Sequence, residues 1–82
     1  MPEIVEQIRK DVGLTKALAE HLYQLLTNEY VQLPRMEAYR LRRYMKQHNT
    51  IIFSGYGKGY YMLPEDKRVY QNWFNLPRTP DR

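Results

Sequence analysis

The chain contains no cysteine. Disulfide scaffolds, cysteine-based zinc fingers and thiol nucleophiles are therefore excluded. Histidine is scarce. His21 and His48 are the only two, and neither stands at a recognised metal spacing from a second ligand. A zinc site needs about four ligands, so no metal is expected. Ser54 is the only serine. It falls in a glycine-rich turn, and no Ser–His or His–acid constellation is visible. The chain does not read as an enzyme, and no cofactor is expected. No apolar run approaches the ~20 residues that span a bilayer. Met1-Pro2-Glu3-Ile4 lacks the basic start of a secretory leader. A cytoplasmic protein without membrane contact is the expectation.

What is present is an ordinary globular composition, with 43% hydrophobic and 27% charged residues in 82 positions. A chain of this length supports one small core. A single domain over 1–75 is expected, with 76–82 a flexible tail. The formal charge is +4, and it is unevenly spread. Residues 1–34 hold three cations and five acids, a net of −2. Residues 59–82 hold four and three, a net of +1. Residues 35–58 hold Arg35, Arg40, Arg42, Arg43, Lys46 and Lys58 against Glu37 alone, a net of +5. A concentrated basic segment is the usual footprint of a polyanionic partner.

The hydrophobic spacing predicts an α+β fold. Ile4, Val5, Ile8 and Val12 recur at helical intervals, giving one helix over 2–12 that Gly13 stops. Thr15 is an N-cap for a second helix, with Leu14, Ala17, Leu18, His21, Leu22, Leu25 and Leu26 on its apolar face. Tyr30-Val31-Gln32-Leu33 fits a short strand or an extended turn. Pro34 opens a third helix over 35–48, which Asn49 ends. Residues 50–63 form a β-hairpin whose turn lies at 54–59 and holds three of the four glycines. A short helix follows from Pro64, with Val69, Tyr70, Trp73 and Phe74 as one apolar stripe. That stripe closes the core or forms a dimer patch, and Trp73 is expected to be substantially buried in either case.

The third helix is the informative one. At 3.6 residues per turn, Ala38, Leu41, Tyr44, Met45 and His48 share one side. Arg35, Tyr39, Arg42, Arg43 and Lys46 share the other, with Arg40 and Gln47 at its flank. Glu37 points toward the buried side, so the outward face carries no acid. Solvated helices usually mix signs through i,i+4 pairs, so this face calls for an anionic partner such as a phosphate backbone. Gly55, Gly57 and Gly59 lie between two strands, which is not the strand-to-helix position of a nucleotide loop. They read as a hairpin turn with Tyr56 and Lys58 at its tip. Among the eight tyrosines, most fit core or rim packing. Tyr30, Tyr39 and Tyr56 are candidates for base stacking or phosphate contact.

In this order, the elements resemble the winged helix-turn-helix family of DNA-binding proteins. The resemblance rests on Leu41-x-x-Tyr44-Met45, then Ile51-Ile52-Phe53, then Gly57-Lys58-Gly59, then Tyr60-Tyr61-Met62-Leu63, preceded by the helix Thr15 to Leu22. It implies three helices, a β-hairpin wing and a short C-terminal helix. It also implies double-stranded DNA as partner, and small members of the family often form homodimers through a terminal helix. Small size and a stand-alone domain without an effector domain add the expectation of a small regulator of transcription or of a mobile element's replication or maintenance. DNA would be met by Arg35, Tyr39, Arg40, Arg42, Arg43 and Lys46, with Tyr56 and Lys58 on the wing. The chain departs from the family in the seven residues from Thr27 to Leu33, where a turn of three or four is usual. The alternative is a protein-interaction module, for example an inhibitor of a host complex, whose basic face docks an acidic partner.

Overall fold

A computed structural model describes residues 3–76 of the chain. The architecture is α+β, four helices and one antiparallel hairpin. Helix α1 (Glu3–Ile8) carries Glu3 and Glu6 at its positive end. Arg9 reaches back to Glu6 Oε1 at 2.6 Å and, by that hydrogen bond, holds the carboxyl below its usual range. The pair is exposed, so water screens it and it contributes little. The helix does not run unbroken to Val12. It widens into a π turn, Arg9–Gly13, in which the Leu14 N–H donates to the Arg9 carbonyl at 3.0 Å. Gly13, at φ 82°, closes it. A left-handed closing residue pulls the last hydrogen bond one residue further back, as at many helix ends.

Helix α2 (Lys16–Thr27) starts where Thr15 Oγ1 accepts from the Leu18 N–H at 3.3 Å. Ala19, Leu22, Leu25 and Leu26 are buried against Val5, Ile8 and Val12. Ala17, expected on this face, is exposed, and Ala19 takes the inward place.

The connection 28–34 is neither a tight turn nor free coil. Val31 exchanges two backbone hydrogen bonds with Tyr60, at 2.8 and 2.9 Å. Helix α3 (Arg35–Lys46) follows Pro34 and buries Ala38, Leu41 and Met45. It ends at a left-handed Asn49, φ 58°. The Thr50 N–H returns to the Met45 carbonyl and the Asn49 N–H to that of Lys46, both at 3.1 Å, the bond pair of a Schellman cap. His48 thus falls beyond the helix. It is exposed rather than inward and lies against Tyr44, ring centroids 5.4 Å apart.

Strands β1 (Ile52–Gly55) and β2 (Gly59–Met62) pair Ile52 with Met62, Phe53 with Tyr61, Ser54 with Tyr60 and Gly55 with Gly59. Pairing runs closer to the tip than expected, and the turn shrinks from 54–59 to residues 56–58. Gly57 and Gly59 have positive φ, 66° and 99°.

Helix α4 (Pro64–Trp73) corrects one expectation. Tyr70 and Phe74 are buried, but Val69 is 62% and Trp73 52% exposed. The inward positions are Lys67, Tyr70, Gln71 and Phe74, spaced i, i+3, i+4, i+7. Two of them are polar because α4 closes the C-terminal end of α2. Lys67 Nζ donates to the Asn28 carbonyl at 3.0 Å, and Gln71 Nε2 to the Leu26 carbonyl at 2.8 Å. A cation at a helix C-terminus and an amide on an orphan carbonyl satisfy groups that burial would otherwise leave bare. That choice of face turns Val69 and Trp73 outward. Trp73→Ala is therefore expected to cost under ~1.5 kcal/mol in urea denaturation, and Phe74→Ala ~3–5 kcal/mol. Equal losses would contradict this packing. Of the tail expected from 76, residues 77–82 lie outside the described residues.

Candidate nucleic-acid interface

The basic helix is held by its inner side. Leu41 and Met45 are fully buried in the core. The Tyr44 hydroxyl donates to the Val12 carbonyl at 3.0 Å, tying α3 to the π turn. Glu37 is turned inward, its Oε1 2.9 Å from His21 Nε2 on α2. A carboxylate only accepts, so His21 is the donor. This contact takes the helix's single acid out of the outward face.

That face carries what the spacing predicted. Arg35, Tyr39, Arg42, Arg43 and Lys46 are exposed, as is Arg40 at the flank. Among the described residues, none of these cations makes a salt bridge. Tyr39, Arg42, Arg43 and Lys46 follow one helical row, i, i+3, i+4, i+7. They line a groove of about 470 Å³ with Thr50, Ile51 and Ile52 on its other side. Ile51 is 54% exposed there. By composition Ile51 belongs to the first strand, but β1 starts one residue later. Only the close return of the chain after Asn49 sets Ile51 beside the cations.

The hairpin stands next to this row. The Arg42 guanidinium carbon lies 6.0 Å from the centre of the Tyr60 ring, at the outer reach of a cation–π contact. Tyr56 is fully exposed at the tip and Lys58 is exposed beside it. Lys58 Nζ leans back to 5.5 Å from the Tyr30 ring centre. Gln32 Nε2 donates to the Gly57 carbonyl at 3.4 Å. The connector thus braces the hairpin along one side, through Val31 and Gln32. The candidate residues fall on α3 and the hairpin tip, with Tyr30 on the connector between α2 and α3. Val69 and Trp73 are outward on α4, and Tyr70 and Phe74 belong to the core.

Chemically, the surface is an array of guanidinium and ammonium donors carried by an anchored helix around a partly apolar groove. Such donors suit anionic oxygens, with arginine able to bind them in pairs. Among the described residues no cluster of three or more metal-ligating side chains occurs, and no helix is long and apolar enough to cross a membrane. Comparison of the chain with protein-family models, curated proteins and solved structures gave no match.

Proposed function

We propose that the protein binds double-stranded DNA through the outward face of α3, with the hairpin as a wing beside it, after the manner of winged helix-turn-helix proteins. In this reading it is a small regulator of transcription or of a mobile element's replication or maintenance. The observation that carries the proposal is the absence of acid from that face. Its cations stand without ion pairs among the described residues, and its one acid is drawn inward by His21. Like charges on one helix face are mildly destabilising by themselves, so the arrangement is best matched to a polyanion. A second copy, paired through the outward Val69 and Trp73, would extend the small footprint of one helix to two half-sites.

A second reading has its own support. The groove beside Arg42 and Lys46 has an apolar wall in Ile51 and an aromatic one in Tyr39. An acidic protein segment with an apolar side chain would also fit there. Titration against random duplex DNA over a range of salt separates the two. The DNA reading expects tight, steeply salt-dependent binding. The module reading expects weak, sequence-blind binding and a tight complex with an acidic protein surface.

A further inference from the structure

The outer face of the hairpin has a composition that neither the core nor the basic helix explains. Ile52 and Met62 point from the paired strands into the core. The alternate positions, which water-facing hairpins normally fill with polar side chains, are Phe53, Gly55, Gly59 and Tyr61. None is polar except through the tyrosine hydroxyl. Phe53 and Tyr61 stack across the strands, ring centroids 5.4 Å apart and planes 21° from parallel. Tyr30, from the connector, meets Tyr61 edge-on at 5.5 Å. Its ring also covers Gly55, where a Cβ would lie 3.2 Å from a ring carbon. All three aromatics remain partly exposed. Lys58 is set over Tyr30, and the exposed Tyr56 stands at the tip.

We propose that this outer face binds single-stranded nucleic acid, its unpaired bases continuing the Phe53–Tyr61 stack and its phosphates meeting Lys58. A ring stack accepts any base, because each base has a π face, and a neighbouring cation supplies the backbone contact. An aliphatic protein partner would need neither coplanar rings nor an ammonium at their edge. The site lies on the opposite side of the hairpin from the core, so it is distinct from the α3 groove. Together the two surfaces would favour a duplex with an unpaired end.

The test is fluorescence anisotropy with a labelled thymidine oligonucleotide of about 15 residues and, separately, a blunt random duplex. Phe53→Leu and Tyr61→Leu keep apolar bulk but remove the ring faces. Each is expected to weaken oligonucleotide binding roughly tenfold and to leave duplex binding within about twofold. Lys58 is exposed at the tip, so Lys58→Met is expected to leave folding stability nearly unchanged. It is expected to weaken oligonucleotide binding and flatten its salt dependence by about 0.7 in the log–log slope. Arg42→Ala with Arg43→Ala is expected to lose duplex while keeping oligonucleotide, opposite to the two leucine variants. Lys58→Met, whose lysine serves both surfaces, is expected to weaken binding of both ligands. The proposal is overturned if the wild type does not bind the oligonucleotide, or if the leucine variants bind it as tightly as wild type. It is equally overturned if oligonucleotide affinity follows the Arg42 and Arg43 changes alone. Failure of duplex binding with oligonucleotide binding intact would instead remove the α3 reading.

Discussion

Binding to random duplex DNA is expected to fall along a log–log salt slope near −4.5 per chain. Arg35, Arg42, Arg43, Lys46 and Lys58 are exposed and without salt bridges among the described residues. If each neutralises one phosphate, about five counterions leave the DNA on binding, and each contributes about −0.9 to the slope. Between 50 and 200 mM salt, the affinity should drop by roughly 500-fold. Arg42→Ala with Arg43→Ala should weaken binding and flatten the slope by about one to two units. Folding stability should move little, since both side chains are solvent-facing. The measurement is a titration at four or more salt concentrations, paired with urea denaturation of the same variant. Full affinity in the double variant, or no binding by the wild type at low salt, would leave the DNA reading without support and put the acidic protein partner first.

Gly59→Ala should be the most damaging change outside the apolar core. Gly59 has φ 99°, a region side chains rarely adopt. A Cβ there would lie 2.7 Å from the Val31 carbonyl carbon. Backbone cannot step aside as a flexible side chain can. The added carbon meets both penalties: the variant keeps a strained dihedral, and the contact pushes Val31 away from Tyr60, weakening their two hydrogen bonds. Strain of ~1–3 kcal/mol and up to about 1 kcal/mol per weakened bond give a cost near 3 kcal/mol. For a domain of this size that lowers the melting temperature by more than about 10 °C. Gly57→Ala is the control. It also has positive φ, 66°, but nothing lies within 4 Å of the added carbon, so its loss should be about half as large. Equal melting temperatures for the two variants would mean that the close approach of the connector to the hairpin carries no weight.

The helices were legible because their signals are local. Thr15, Gly13, Pro34 and Asn49 mark helix ends within a residue or two, each through its own backbone preference or a hydrogen bond to a near neighbour. The outward row of α3 follows from helical spacing alone, and so does the inward turn of Glu37. The position of Tyr61 on the outer face of the hairpin was half visible, since alternation requires Tyr60 and Tyr61 to face opposite ways. Its stacking on Phe53 needed the register, which depends on where the turn closes.

What the sequence by itself determined, then, was the helices, the presence of a hairpin, and a face of cations without acid. Each depends on residues a few positions apart. The tertiary structure decided the rest through pairs far apart in the chain. Val31 against Tyr60 turned the connection 28–34 into a brace for the hairpin. His21 against Glu37 joined α2 to α3. Lys67 and Gln71 closed the end of α2 and so chose which side of α4 lies inward. That last choice overruled the apolar stripe, sending Val69 and Trp73 to the surface. Periodicity counts apolar side chains, whereas a buried helix end must also find donors for its bare carbonyls.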